Sequence, residues 1–358
     1  MSGAPAVAPP VPPRPLRGLH RFRLPPELEA SSPPETRGVA RDDVRLMVAH
    51  RGSGRLSHSR FSRLPELLSE GDLVVINTSG TLAAEVDSVL NGLPLQVHFS
   101  TALPAGLWTV ELRRDGRPHL DATAGDRLAL AGGGELTLLS AYSRHQGGVR
   151  LWVAAVETPL PLVPYLAAHG RPIAYGYVGG RFPLSSYQNV YATEPGSAEM
   201  PSAGRPFTPE VITRLVARGV GVAPLLLHTG VASLEASEPP YPEFYRVTAP
   251  TAARVNACRA EGGRVIAVGT TVVRALESVV DGQGRVHPGS GWTETVVAPD
   301  GPVRSVDGLL TGWHEPEASH LAMLEAIGGR ELLERSYHLA VAERYLWHEF
   351  GDVHLILP

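Results

Sequence analysis

Two different hydrophobic patterns follow one another along this 358-residue chain, and their order is the strongest constraint on its fold. Between about residues 72 and 156, short segments alternate apolar with polar residues and are separated by Gly, Pro and Asp. Trp108, Val110 and Leu112 share one face of such a segment, and Gly132 begins a glycine run that suits a hairpin turn. Alternation of this kind is typical of antiparallel strands. Six or seven of them predict a small closed β-barrel.

After Pro159 the pattern changes, and apolar strand-like runs alternate with helix-like segments. Thr208 is a good N-cap for a helix that Gly219 ends, and a buried strand over 222–227 follows at once. A strand, a turn and a helix follow one another again within 264–280. This order predicts an α/β layer with parallel strands.

We therefore predict an α/β protein in which a discontinuous α/β domain carries an inserted antiparallel β-barrel domain. The predicted parts are a disordered Pro-rich tail over 1–18, an α/β catalytic domain over 19–65 and 159–358, and the barrel domain over 66–158.

The residue types present exclude several classes of chemistry. All 32 basic residues are Arg and none is Lys, which excludes Schiff-base catalysis, a pyridoxal-phosphate lysine and a P-loop lysine. With Cys258 as the single cysteine, an internal disulfide and a multi-cysteine metal site are excluded, and we expect no metal. No apolar run is long enough for a membrane span and no signal peptide is evident, so we expect a cytoplasmic protein without a membrane partner.

The charge is unevenly distributed along the chain. The net charge is −4, but residues 1–63 contain 11 Arg against five acidic residues. Taken alone, this excess is better interpreted as a solvated basic arm than as an RNA contact, although both interpretations remain open.

Chemically useful side chains occur where predicted strands end. Gly269, Thr270 and Thr271 open a helix after a buried strand, where free backbone N–H groups favour an anion. Thr271 is equally well interpreted as an ordinary N-cap, and Arg274 either clamps a carboxylate or faces solvent.

Three further positions are candidates for proton transfer or cation binding. His228 ends an apolar strand and is the best candidate for a general base, although a hydrogen-bonded core histidine is an equal alternative. Glu243 lies near Tyr245, in a segment that binds a cation or forms a polar rim. His314 lies at a second strand-to-helix junction.

The segment 262–278 carries a family resemblance. Its sequence, GGRVIAVGTTVVRALES, resembles the signature of the S-adenosylmethionine:tRNA ribosyltransferase-isomerase family of queuosine biosynthesis. Similar matches occur along nearly the whole chain, at 24–28, 41–46, 71–77, 187–192, 201–204, 207–208, 228–230, His314, Pro316 and 350–352.

The resemblance implies a large α/β domain with an inserted barrel and a specific reaction. The ribosyl group of S-adenosylmethionine would be transferred and isomerised onto 7-aminomethyl-7-deazaguanine in tRNA, giving epoxyqueuosine and releasing adenine and methionine. S-adenosylmethionine is then a co-substrate, no other cofactor or metal is needed, tRNA is the partner, and we expect a monomer.

The resemblance also implies roles for individual residues. His228 or His314 would act as base or acid, and Glu243 would face the sulfonium or the amine. The residues expected to bind substrate are Gly269, Thr270, Thr271, Arg274, Asn77, Thr208 and Tyr245.

The chain also departs from the family pattern at several polar positions. The family's Asn-Asp-Thr-Arg is replaced by Asn77-Thr78-Ser79-Gly80, and its Gly-Leu-His-Phe-Thr by residues 204–208 with Arg205 and Pro206. Its Met-His-x-Glu becomes 240–243 with Tyr241, and its Thr-Asn-Phe-His-Leu-Pro becomes 311–316 with Gly312 and Glu315. Three hypotheses follow: the family reaction on tRNA, ribosyl transfer from S-adenosylmethionine to a different small acceptor, or a non-catalytic paralogue.

Overall fold

The computed structural model describes residues 22–145, 148–231, 240–299, 301–316, 318 and 320–358. The predicted disordered tail over 1–18 lies outside these residues.

The described residues form eighteen strands, which are between two and twelve residues long. They are β1 (Arg45–His50), β2 (Arg55–Arg60), β3 (Leu73–Asn77), β4 (Ser79–Thr81), β5 (Glu85–Leu90), β6 (Leu93–Ala102), β7 (Trp108–Arg114), β8 (Arg117–Pro118), β9 (Arg127–Leu130), β10 (Gly134–His145), β11 (Gly148–Glu157), β12 (Glu194–Ser197), β13 (Gly221–Leu227), β14 (Glu243–Val247), β15 (Val265–Val268), β16 (Gly289–Thr293), β17 (Gly308–Gly312) and β18 (Val353–Leu357).

Seven α-helices accompany the strands in the same described residues. They are α1 (Leu64–Leu67), α2 (Leu162–His169), α3 (Pro209–Ala217), α4 (Ala249–Ala260), α5 (Thr270–Glu277), α6 (His320–Gly328) and α7 (Arg330–Ala342).

Nine of the strands form one mixed sheet, in the order β16-β14-β13-β3-β15-β17-β18-β1-β2. Its centre, β13-β3-β15-β17, is parallel throughout, and β14 and β18 run antiparallel to their inner neighbours. Every residue of β3 and β15 is buried, as expected for parallel strands covered on both faces. One face packs against α4, α5, α6 and α7, and the other against α1 and α3.

A second sheet closes into the predicted barrel. Strands β11, β10, β9, β5, β6 and β7 pair in that order, and β11 pairs back with β7 through Leu151 and Glu111. β8 extends the sheet beside β7. The barrel interior is filled by the apolar faces of these strands, including Trp108, Val110 and Leu112. The α/β fold with a closed antiparallel barrel is therefore confirmed.

The position of β3 differs from the expected domain boundary. A barrel domain over 66–158 includes this strand, whereas β3 lies in the centre of the large sheet, between β13 and β15. A short run of buried apolar residues has the same local pattern in either setting, so its pairing partners decide the assignment. The barrel strands themselves run from Glu85 to Glu157, and the division of the chain into domains stays a prediction.

The predicted helix signals are present where strands and helices meet. Thr208 caps α3 by accepting a hydrogen bond from the backbone N–H of Val211 at 3.2 Å, and Pro209 is the first helical residue. The strand β13 follows α3 directly, as the pattern predicts. Among the described residues, no helix is long and apolar enough to cross a membrane.

Candidate active site

One edge of the large sheet gathers most of the predicted site residues. The four parallel central strands all end there, and the antiparallel β14 and β18 begin there. We call this edge the rim; the residues that follow or open strands on it include Asn77, His228, Glu243, Gly269 and His314. The carboxyl ends of parallel strands are the usual ligand-binding edge of such a sheet.

His228 follows β13 and is held by two hydroxyl groups in series. Its Nδ1 lies 2.7 Å from Oγ of Ser79, and that Oγ lies 2.6 Å from Oγ of Ser197. Ser197 Oγ also accepts a hydrogen bond from the backbone N–H of Thr229 at 3.0 Å. With Nδ1 engaged in this way, Nε2 is the ring nitrogen that remains for proton exchange.

The surroundings of His228 favour its neutral form. Burial lowers the pKa of the imidazole, partly offset by Glu194, whose Oε1 lies 4.0 Å from Nε2. Glu194 is itself bound by Arg246 at 2.5 Å. The ring also stacks against Phe244 at a centroid distance of 6.2 Å. A neutral, positioned imidazole at pH 7 is suited to accept a proton.

Glu243 opens β14 and forms a buried ion pair with Arg274 of α5. Its other carboxylate oxygen accepts a hydrogen bond from the backbone N–H of Gly230 at 3.0 Å. Burial raises the pKa of the Glu243 carboxyl, against the opposing charge of Arg274. Arg274 also donates to the backbone carbonyls of Tyr241 and Thr293, at 3.1 and 3.3 Å. Arg274 is thus buried and clamps a carboxylate of the protein itself, that of Glu243, and does not face solvent.

Asn77 ties two strands of the rim together. Its Nδ2 donates to the carbonyl of Leu227 at 2.8 Å, and its Oδ1 accepts from the backbone N–H of Leu227 at 3.0 Å and of Ser79 at 3.1 Å. A longer bond of 3.4 Å joins Nδ2 to Oγ1 of Thr271. Asn77 therefore fixes the backbone that carries Ser79 and His228.

Gly269 is the N-cap residue of α5, so the alternative in which Thr271 is the N-cap is wrong. Gly269 has a φ of 90°, which side chains other than glycine adopt at a cost, and its N–H donates to the carbonyl of Leu310 at 2.8 Å. A β-carbon on Gly269 would lie 3.4 Å from Cβ of Ala203, so a second chain segment packs closely over the turn. Thr270 is buried there.

His314 lies on the rim after β17. Its Nε2 is 2.9 Å from Oγ1 of Thr311, and its ring stacks on His320 at a centroid distance of 4.7 Å. Burial lowers the pKa of His314 well below its usual value, and the neighbouring His320, His348 and His354 add to this effect. His314 is thus held neutral by its surroundings.

Two predicted binding residues have other contacts. Thr208 Oγ1 caps α3 and donates a hydrogen bond to the Asp42 carboxylate at 3.3 Å. Tyr245 is a residue of β14, and its ring is buried in the hydrophobic core. These positions assign Thr208 to the helix and Tyr245 to the packing of the sheet.

Several polar residues at the rim are not among the predicted site residues, although Ser79 lies in the segment 77–80 that departs from the family pattern. Ser79, Ser197 and Glu199 approach His228 or Thr229 from segments far away in the chain. Glu349 follows α7 and accepts a hydrogen bond from the hydroxyl of Tyr177 at 3.0 Å. The resemblance at 350–352 lies beside Glu349 and is the one signal that draws attention to this part of the chain.

Comparison with known proteins agrees with this architecture. A family model described as queuosine biosynthesis protein matches residues 18–356. An S-adenosylmethionine:tRNA ribosyltransferase-isomerase of Symbiobacterium thermophilum is 36% identical over 365 residues, covering 94% of this chain and 98% of the relative. The enzyme of the same name from Thermus thermophilus is 35% identical, covering 96% and 100%. This chain belongs to the queuosine biosynthesis protein family.

A solved structure supports the family fold. The crystal structure of S-adenosylmethionine tRNA ribosyltransferase from Thermotoga maritima has a TM-score of 0.53 to this chain and 27% sequence identity. The alignment covers 95% of this chain and 100% of that protein.

Residues at which this queuosine biosynthesis family member departs from the family pattern have defined contacts in the structure. Ser79 and Gly80 form β4, which pairs with β12, and Gly80 packs against the backbone of Pro195. Arg205 is buried and bound to Glu35 at 2.8 Å. Among the described residues, no group of three His, Cys, Asp or Glu side chains is arranged to hold a metal ion.

Proposed function

We propose that this protein transfers and isomerises the ribosyl group of S-adenosylmethionine onto 7-aminomethyl-7-deazaguanine in tRNA, giving epoxyqueuosine. The observation that carries the proposal is the match over 94% of this chain to an S-adenosylmethionine:tRNA ribosyltransferase-isomerase. The co-substrate is S-adenosylmethionine, the macromolecular partner is tRNA, and the protein works in the cytoplasm as a monomer.

The residues of the rim suit the first step of this reaction. The positive sulfur of S-adenosylmethionine acidifies the protons on the adjacent C5′ carbon, so a positioned neutral base starts the reaction. His228 has a lowered pKa and one ring nitrogen outside its hydroxyl contacts, and we assign it this role. The ribose then rearranges as adenine leaves and the acceptor amine attacks, and methionine is released.

Other rim residues bind and orient the reactants in this proposal. Glu243 carries the negative charge next to which the sulfonium is placed, with Arg274 fixing the carboxylate. The N-terminal turn of α5, with Gly269 and Thr270, receives the methionine carboxylate because helix N-termini favour anions. His314 is held neutral by burial and by the neighbouring histidines, and it is the second candidate for a proton acceptor.

The test is adenine release from labelled S-adenosylmethionine. The purified protein is incubated with tRNA that carries 7-aminomethyl-7-deazaguanine at the wobble position, with tRNA that lacks it, and without tRNA. Adenine release and labelled tRNA only in the first mixture support the proposal. Adenine release with a small amine instead, or binding of S-adenosylmethionine without any turnover, overturns it.

Two histidine variants complete this experiment. His228→Gln removes the proposed base and is expected to abolish most adenine release. His338 is exposed on α7, and His338→Gln serves as the matched control that retains activity.

A further inference from the structure

The two oxygens of the Glu243 carboxylate are held by different parts of the chain, and both parts depend on contacts with the β-barrel. Oε1 accepts a hydrogen bond from the backbone N–H of Gly230 at 3.0 Å, and Oε2 is bound by Arg274 of α5. Neither Gly230 nor Arg274 lies in a barrel strand. Their neighbours in the structure nevertheless reach the barrel strands β6, β10 and β11.

The first contact with the barrel lies next to Gly230. The backbone N–H of Val231 donates a hydrogen bond to Oγ of Ser100 on β6 at 3.0 Å. The Val231 side chain is buried within the hydrophobic cluster of the barrel. Because Gly230 directly precedes Val231, this contact fixes the N–H group that binds Oε1 of Glu243.

The second contact with the barrel is the side chain of Tyr241, two residues before Glu243. Its hydroxyl oxygen lies 2.8 Å from Oγ of Ser143 on β10 and 3.5 Å from Nη1 of Arg150 on β11. Its ring packs against the hydrophobic cluster of the barrel and lies 6.1 Å from the ring of Tyr142. The Tyr241 side chain therefore ties the segment directly before β14 to the barrel.

The backbone of Tyr241 connects this contact to Arg274. Its carbonyl oxygen accepts a hydrogen bond from Nη2 of Arg274 at 3.1 Å, while Nη1 of Arg274 binds Oε2 of Glu243. A guanidinium group is planar and rigid, so a carbonyl that holds one of its nitrogens also determines where the other nitrogen points. A displacement of Tyr241 is therefore expected to displace the Glu243 carboxylate.

The barrel side of the Tyr241 contact contains a buried ion pair. Nε of Arg150 lies 2.9 Å from Oε1 of Glu111, and both side chains are only 1% exposed. The other Glu111 oxygen lies 3.2 Å from Arg113 and 3.7 Å from His98. A buried ion pair offsets its desolvation cost only in good geometry, so the pair restricts Arg150 to one position beside the Tyr241 hydroxyl.

We propose that Tyr241 is a positioning residue through which the barrel fixes the Glu243 carboxylate in the site. Tyr241 itself touches no substrate in this role and acts through Arg274. The inference rests on the proposed function, in which Glu243 faces the sulfonium of S-adenosylmethionine, and it makes recognition of that charge depend on the barrel. Tyr241 stands where the family pattern has His, so this chain makes the contact through a phenol hydroxyl.

The first test compares the binding of S-adenosylmethionine with that of S-adenosylhomocysteine, the neutral sulfide that lacks the methyl group and the positive charge. Calorimetric titration gives both affinities without tRNA. Tyr241→Phe keeps the ring and removes only the hydroxyl. We expect the wild type to prefer the sulfonium at least about tenfold and Glu243→Gln to lose most of this preference. Tyr241→Phe should lower the preference roughly three- to tenfold.

The double variant separates positioning from general packing. A hydroxyl that acts through Glu243 has nothing left to position once the charge is removed. Tyr241→Phe in the Glu243→Gln background should therefore leave the preference unchanged within about twofold. An equal loss in both backgrounds overturns the inference, and so does an unchanged preference in Tyr241→Phe alone.

Tyr165→Phe is the matched control. Tyr165 lies on α2, and its hydroxyl donates a hydrogen bond to the carbonyl of Ala131, at the opposite end of β10 from Ser143. The control removes a hydroxyl contact with the barrel that does not lead to Glu243. Its thermal unfolding temperature is measured beside that of Tyr241→Phe. We expect the control to keep the wild-type preference, and an equal loss of preference in both variants overturns the inference.

Adenine release with precursor-containing tRNA distinguishes this inference from the proposed function. Because the charge is bound before the reaction starts, Tyr241→Phe should raise the KM for S-adenosylmethionine roughly three- to tenfold with kcat within about twofold of the wild type. A wild type that does not act on tRNA, but whose preference Tyr241→Phe still lowers, removes the reaction and keeps the positioning role. A wild type that turns over tRNA but binds both compounds equally keeps the reaction and overturns the inference.

Discussion

Gly196 of β12 lies directly against the imidazole of His228, so that a β-carbon on residue 196 would overlap the ring. The same strand contributes Ser197, whose hydroxyl contacts Ser79 and through it His228. β12 therefore fixes both the position of the ring and the partner of its Nδ1. The parallel pairing of β12 with β4 maintains this arrangement.

The variant Gly196→Ala is expected to lower adenine release at least about tenfold, because the methyl group displaces the His228 ring and misplacing a reacting group is costly. The measurement is kcat under saturating S-adenosylmethionine and precursor tRNA, together with the thermal unfolding temperature. Gly180→Ala adds the same methyl group where nothing lies within 4 Å, and should leave kcat unchanged. Equal activity of the two variants would show that the ring position is not critical.

Replacing His228 itself tests the proposed base. His228→Gln is expected to lower kcat by roughly 10²- to 10⁴-fold, the usual contribution of a general base. In the wild type, activity must fall as pH decreases through the pKa of His228, because the protonated ring cannot accept a proton. Since burial places that pKa below 6.5, the acid limb of the kcat/KM profile should lie below pH 6.5. An acid limb that persists unchanged in His228→Gln contradicts the assignment.

The Glu243–Arg274 ion pair predicts a large effect on stability. Arg274→Met leaves the Glu243 carboxylate buried without its cation, which typically costs about 3–5 kcal/mol. Urea unfolding at pH 7 measures this loss. Arg330→Met removes an exposed cation from its pair with Glu334 and should cost less than about 1 kcal/mol. Similar losses for both variants would show that burial of the pair has no special effect.

Thr208 separates a structural role from a binding role. Thr208→Ala removes the N-cap of α3 and is expected to reduce the free energy of unfolding by about 1 kcal/mol, whereas Thr208→Asn keeps the cap. Because the hydroxyl is engaged by Val211 and Asp42, we expect both variants to bind S-adenosylmethionine as the wild type does. Weaker binding by Thr208→Asn at full stability would assign the hydroxyl to the substrate instead.

The fold can be predicted from the sequence because the residue patterns that define its strands and helices are local in the chain. Alternating residues define the barrel strands, and the cap at Thr208, the strand after it and the glycine at 269 define strand–helix units. The placement of β3 was not open to prediction, because five buried apolar or amide residues form the same local pattern in a barrel and in a parallel sheet.

The site residues likewise fall into those that the local sequence predicts and those that it does not. His228, Glu243 and Gly269 were predicted at the rim because each lies where a strand meets the carboxyl edge of the sheet. Ser79 and Glu349 were not, since their contacts join segments 149 and 172 residues apart in sequence, and nothing near them in the chain marks those partners. The pairing of Glu243 with Arg274 likewise follows from the packing of α5 on β14.

His354 makes the stability of the protein depend on pH. It lies in β18, fully buried and stacked on Trp313 at 4.7 Å, and neither ring nitrogen has a hydrogen-bond partner among the described residues. Burial lowers the pKa of His354 to about 3. Between that pH and the ordinary value of about 6.5, the unfolded chain binds a proton that the folded chain does not. The free energy of unfolding is therefore unaffected by His354 protonation above about pH 6.5. Below that pH it decreases progressively as the pH falls towards 3, because protons bind the unfolded chain preferentially.

The variant His354→Leu is expected to remove this dependence. Urea unfolding at pH 7.5, 6 and 5 should show a smaller loss of stability for the variant than for the wild type. At pH 7.5 the variant should also be more stable by about 1–3 kcal/mol, because two unpaired polar atoms leave the core. His338→Leu, on the exposed face of α7, is the control and should keep the pH dependence of the wild type. A variant whose stability falls with pH as steeply as that of the wild type would assign the acid sensitivity to other groups, of which the buried His314 is the first to test.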